Sequence, residues 1–170
     1  MPRTAPSRRM VLASPLRQLL RMESILAALD FSPVAASVLA RATEMAERFG
    51  ARLWLIHVAS PEPAFVGYEP GPQSVRDHRA AELREEHRTL QRHAEELRER
   101  GLDATALLIE GPPVAKILEE ANRLGVGMIV IGSHSRSGLA RLVLGSVSEG
   151  VVRRAACPVL IVPSLGAGGA

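Results

Sequence analysis

Five short apolar runs, separated by segments whose apolar residues recur every three or four positions, constrain this chain more than any other feature. The runs are Ser24–Leu29, Arg52–Val58, Ala104–Ile109, Val126–Ile131 and Val159–Val162. Each has the length of a strand, and Val126–Ile131 is apolar throughout, as a strand buried on both faces must be. The intervening segments carry helix signals. Ser32 offers an N-cap, with Pro33 at a first helical position where its missing N–H costs nothing. Leu39, Ala42, Ala46 and Phe49 follow on one face, and Gly50 stops the helix. Asp77–Arg100 sets Leu83, His87, Leu90, Ala94 and Leu97 on one stripe and its charges on a solvated face. Gly111-Pro112-Pro113 opens a third helix through Leu118, Ala121 and Leu124 to Gly125, and a fourth runs from Gly145 to about Ala156. Ser60–Gln73, with four prolines and two glycines, reads as a long loop. Alternating strands and helices around buried central strands predict an α/β fold. The expected architecture is a single doubly wound domain, a five-stranded parallel sheet flanked by helices on both faces.

A length of 170 residues suits one such domain. Its core must be built from Leu, Val, Ile and Ala, because aromatic residues make up only 3%. The charge is unevenly spread. Residues 1–22 carry Arg3, Arg8, Arg9, Arg17 and Arg21 and no acid; setting those five aside turns the formal +3 into −2. The basic character therefore belongs to an N-terminal extension that reads as disordered, not to a face of the domain, and nucleic-acid binding is not expected. The extension has no secretory apolar region, since Ser14, Pro15, Arg17 and Gln18 break it; its Arg-rich, acid-free composition leaves a transit peptide as a minor reading. No apolar run approaches the roughly 20 residues of a membrane span. The single cysteine, Cys157, rules out an intramolecular disulfide and reads as a buried, inert thiol, in keeping with a reducing cytoplasm. Residues 23–163 are the expected domain, and 164–170 a flexible tail.

In open parallel sheets, ligands bind beyond the carboxyl ends of the strands, where strand order reverses. That directs attention to Asp30, Val58, Glu110 and Gly132. Gly132 starts a stretch, Gly132–Ser146, in which glycine permits close backbone approach to a ligand. At its far end Gly145-Ser146 opens a helix whose free N–H groups and dipole favour an anion. Ser146 and Ser148 add hydroxyls and Arg136 a cation. Ser146 and Glu149 also match a capping box, Ser-x-x-Glu, which would occupy the same donors. Spacing alone leaves these two readings open. A P-loop enzyme is disfavoured, because its motif needs Gly-Lys-Ser/Thr and the only lysine, Lys116, follows Ala115. Asp30-Phe31-Ser32-Pro33 stands where a dinucleotide-binding Gly-x-Gly-x-x-Gly would be, and no Gly-x-Ser-x-Gly elbow exists.

Gly132-Ser-His-Ser-Arg-Ser-Gly-Leu, then Leu-Val-Leu-Gly145-Ser146-Val-Ser-Glu, then Cys157-Pro-Val-Leu-Ile-Val-Pro, closely resembles the C-terminal signature of the universal stress protein family. Ile25–Ser32, Leu55-Ile-His-Val58 and Gly111-Pro-Pro-Val-Ala-Lys-Ile-Leu resemble it further, from about Glu23 to Pro163. The resemblance implies a homodimer, often paired through the last strand, here Val159–Val162, and an ATP-binding pattern Gly-x-x-Gly, nine residues, Gly-Ser/Thr. Gly132 and Gly145-Ser146 are in register with it; the second glycine is Ser135, and Gly127 stands where the family commonly has Asp. If position 135 needs a left-handed backbone, a Cβ there costs about 1–2 kcal/mol, or about ten-fold in affinity. The implied nucleotide-binding set is Asp30, Val58, Gly132, Ser133, His134, Ser135, Arg136, Gly145, Ser146, Val147 and Ser148, with Asp30 toward the ribose or adenine and Val58 toward the adenine. The implied ligand is ATP, with or without Mg2+, bound by a stress-response protein that signals to a partner and turns ATP over slowly at most. The alternative is a nucleotide-free dimeric interaction module in which Ser135 has weakened or abolished ATP binding.

Overall fold

A computed structural model describes residues 22–59, 73–133 and 144–163. The N-terminal extension short of Met22, the expected loop up to residue 72, residues 134–143 and the 164–170 tail lie outside the described residues. Five strands, β1 Ser24–Ala28, β2 Arg52–Ala59, β3 Ala104–Glu110, β4 Met128–Ser133 and β5 Val159–Pro163, form one sheet in the order β3-β2-β1-β4-β5. Every pairing is parallel. Helices α1 Ala35–Phe49, α2 Gln73–Glu99, α3 Pro113–Leu124 and α4 Ser146–Arg154 alternate with the strands.

Strand alternation sorts the core into two layers. Ile25, Ala27, Leu53, Leu55 and Val130 pack against Val38, Ala42 and Ala46 of α1 and Leu90, Ala94 and Leu97 of α2. Leu26, Ile56, Ile129 and Ile131 pack against Ile117 and Ala121 of α3 and Val151 of α4. Each fully buried Leu, Ile or Val contributes about 1.5–3 kcal/mol of apolar burial. The doubly wound architecture expected from the sequence is therefore the one observed, with β1 at its centre. No helix among the described residues is long and apolar enough to cross a membrane.

Four local expectations are corrected. Helix α1 starts at Ala35 with Val34 as its N-cap, not at Ser32. The Ser32 hydroxyl donates instead to Asp30 Oδ1 at 2.6 Å, and Ser32 N–H donates to the same oxygen at 3.1 Å. Strand β4 runs two residues later than Val126–Ile131. Gly125 closes α3 in the left-handed region, at φ 59°, and Val126 N–H donates to Ala121 O, so Val126 belongs to the helix exit. On α2, Leu90, Ala94 and Leu97 are buried but His87 is exposed. Phe49, expected on the buried face of α1, is exposed at the helix's last position.

Candidate functional site

The strand order reverses between β1 and β4, and a cleft opens there at the carboxyl ends of the strands. Its cavity volume is about 610 Å³, within the range of small-molecule sites. Asp30 from the β1 exit, Val58 from β2, Gly132 from β4, and Gly145, Ser146, Val147 and Ser148 from the start of α4 line it together. Residues separated by more than a hundred positions in sequence thus share one wall system, because the crossover brings β1, β2 and β4 side by side. Ser133 is buried at the end of β4 and does not line the cleft. Glu110 is exposed at the end of β3 and stands outside the lining as well. His134, Ser135 and Arg136 lie outside the described residues.

The capping-box reading of Ser146 is not realised. Gly145 is the N-cap, in extended conformation, and Ser146 is the first helical residue. Glu149 gives its carboxylate to Arg153 at 2.9–3.0 Å, and its N–H to Gly145 O. The Ser148 hydroxyl donates to Gly145 O at 2.9 Å, so that side chain closes the first turn. The first-turn N–H groups of Ser146, Val147 and Ser148 have no intrahelical acceptor and meet the cleft at the positive end of the helix. This arrangement suits an anion.

Gly132 lines the cleft at the end of β4, and packing alone gives a reason for its being glycine. A Cβ there would come within 2.7 Å of Val34 Cγ1 and 3.3 Å of Val38 Cγ2. The glycine allows the start of α1 to press onto β4, and its backbone is not in the left-handed region. Close packing of helix on strand by itself demands glycine at this position, which also lines the cleft.

The opposite wall holds residues that sequence reasoning did not assign to the site. His57 is buried, and its Nδ1 lies 2.7 Å from Leu29 O, which makes Nδ1 the protonated nitrogen. Its ring rests on Phe31, centroids 4.4 Å apart. Nε2 faces Glu86 Oε2 at 3.6 Å, beyond hydrogen-bond reach, and that oxygen is buried without another hydrogen-bond partner. Glu86 and Arg79 reach the cleft from α2; their spacing of seven, two helical turns, was the available signal. Phe31 sits at φ 55°, a left-handed conformation costing a non-glycine residue about 1–2 kcal/mol. Cys157 is half-buried, and burial pushes its thiol above the ordinary range. Among the described residues no group of three or more His, Cys, Asp or Glu is placed to hold a metal ion.

Fold and cleft together define a doubly wound α/β domain with a cavity at its topological switch point, faced by a helix N-terminus. A model of the universal stress protein family matches residues 22–163. Universal stress protein YxiE of Bacillus subtilis (strain 168) is 34% identical over 143 residues, which cover 81% of this chain and 97% of that protein. The solved structure of a universal stress protein family member from Burkholderia pseudomallei superposes with a TM-score of 0.65 at 28% identity, covering 85% of this chain and 98% of that one. A universal stress protein from Archaeoglobus fulgidus, solved in complex with dAMP, shares the fold at a TM-score of 0.56 and 22% identity, over 84% of this chain and 98% of that one. The chain belongs to the universal stress protein family.

Proposed function

We propose that this chain is a stress-response protein that binds an adenine nucleotide, ATP being the first choice, in the cleft between β1 and β4. One observation carries the reading: Asp30, Val58, Gly132 and the free amide turn Gly145–Ser148 converge on a single cavity of nucleotide size. In this reading the α4 amides and the Ser146 hydroxyl hold phosphates, while Val58 and Asp30 meet the base and ribose. The A. fulgidus relative solved with dAMP is a precedent for an adenine nucleotide on this fold. With no ready-made metal cluster among the described residues, Mg2+ would travel on the phosphates and water, as it does in most nucleotide sites. The role is binding and signalling to a partner, with slow ATP turnover at most, in the cytoplasm.

The same reading makes the protein a homodimer paired along β5. This is an edge strand whose Val159, Leu160 and Ile161 are only half-buried in the single chain, and an apolar edge of this kind invites pairing. Light scattering behind a sizing column tests it, and a monomer at micromolar concentration refutes it.

Ser135, in place of the pattern's second glycine, favours the rival reading of a nucleotide-free interaction module. A thermal shift separates the two. ATP at 100 times its dissociation constant stabilises by about 2.7 kcal/mol, a rise of several degrees for a chain of this size. No shift of the wild type at millimolar Mg-ATP defeats the nucleotide reading, and a shift that then appears in Ser135→Gly identifies that residue as the block. A shift that Ser135→Gly enlarges about ten-fold in affinity locates the weakness at that residue.

A further inference from the structure

We infer that His57 is a positioning residue for the nucleotide, acting through the Leu29–Asp30 peptide. The β1–β2 ladder ends at the Ala28–Ile56 pair. Leu29 N–H still donates to Ile56 O at 2.9 Å, but beyond it the chain must leave the sheet. At that exit the His57 imidazole replaces the backbone ladder, its Nδ1–H donating to Leu29 O at 2.7 Å. Leu29 O and Asp30 N–H belong to one peptide unit, so fixing the carbonyl fixes the plane from which Asp30 departs.

Two further contacts hold the arrangement. Phe31 takes its left-handed conformation with its ring against the imidazole, and Asp30 Oδ1 accepts both Ser32 N–H and Ser32 Oγ–H. A strained residue packed at a tilt on a buried histidine, next to a carboxylate that lines the cleft, marks a constrained geometry that packing alone does not require. On the far side of the ring Nε2 faces Glu86 Oε2 at 3.6 Å without a hydrogen bond, so the Leu29 bond and the Phe31 contact are what orient the imidazole. The histidine thus lines the cleft and ties its base-side wall to the exit of β1.

This inference rests on the nucleotide reading, and a double-mutant cycle keeps their failures apart. ATP affinity is measured by calorimetry for wild type, His57→Gln, His57→Asn, Asp30→Ala and the His57→Gln/Asp30→Ala double variant, with the fold of each checked by circular dichroism. Glutamine places its amide where Nε2 was and abandons the Leu29 bond. Asparagine places its amide where Nδ1 was and can keep the bond. His57→Gln is expected to lose about ten-fold in affinity, His57→Asn less than about three-fold, and His57→Gln in the Asp30→Ala background less than about two-fold further. Should His57→Gln fail to fold, Phe31→Leu, which removes only the ring behind the imidazole, runs the same cycle with an expected loss of about three-fold. Losses that multiply in the double variant, or equal losses for His57→Gln and His57→Asn, overturn the positioning role while leaving nucleotide binding intact. Absence of ATP binding in the wild type overturns the nucleotide reading, and this inference with it.

Discussion

Replacing Gly132 by alanine tests whether the site's first glycine serves packing or ligand. The added Cβ would stand 2.7 Å from Val34 Cγ1 and 3.3 Å from Val38 Cγ2, against a normal carbon–carbon contact of about 3.5–4.0 Å. Both valines are buried, and their branched side chains have little rotamer freedom to yield. Relief therefore requires the start of α1 to lift from β4. Overpacking of this kind costs about 1–3 kcal/mol. Taking about 2 kcal/mol, and about 2–4 °C of melting temperature per kcal/mol for a chain of this length, Gly132→Ala should melt roughly 4–8 °C low. Val34→Ala removes the opposing methyl. It destabilises on its own by opening a cavity, but the double variant should be more stable than the sum of the two by at least about 1 kcal/mol. Differential scanning calorimetry on the four proteins reads this directly. An unchanged melting temperature for Gly132→Ala, or strictly additive losses, refutes the packing argument. A loss of ATP affinity at unchanged stability would return Gly132 to the role of ligand glycine.

Two further expectations concern ionisation. Burial raises the Cys157 thiol pKa above its ordinary 9.0, so its reaction with a disulfide reagent should be slower than that of free cysteine at mildly alkaline pH. Its thiolate should titrate later than that of the unfolded chain. Stability should fall as pH rises from the unfolded thiol's range through the folded pKa, and Cys157→Ser should remove that part of the alkaline decline. Glu44 is held below its ordinary 4.5, first by the hydrogen bond from Arg41 and then by the charge of Arg48. A depressed carboxylate contributes stability above the unfolded pKa and loses it as pH falls through the folded one. Glu44→Gln should therefore flatten the acid limb of the melting profile below about pH 4.5, and added salt should shrink the difference because the pair is exposed.

The sheet was legible because its strands are largely apolar and helices α1 and α3 end at glycines. Gly50 and Gly125 both take the left-handed cap conformation, at φ 63° and 59°. Boundaries failed where a residue had two local options. Ser32 could cap α1 or bond to Asp30, and the short Ser-Oγ to Asp30 bond prevailed, leaving Pro33 and Val34 to make the turn. Val126 could start a strand or close the preceding helix, and the Gly125 cap decided for the helix. On α2 most residues are charged, so the stripe had to be inferred from few apolar positions. The rotation that hides Leu90 and Ala94 exposes His87 and turns Glu86 toward the cleft.

Asp30, Val58, Gly132 and Gly145–Ser148, singled out from the sequence, line one cavity. The sequence could not show that Ser148 spends its hydroxyl on Gly145, that Gly132 answers to Val34, or that His57 braces the exit of β1. Those facts depend on which side chains a parallel crossover brings into contact. No local pattern records them.

Titration of nucleotide-stripped protein with ATP by isothermal calorimetry tests the central claim most directly. Saturable binding of one ATP per chain is expected, with affinity reduced when Ser146→Pro removes an amide from the first turn of α4. An absence of saturable heat at millimolar ATP, in a protein shown to be folded and free of nucleotide, would contradict that claim.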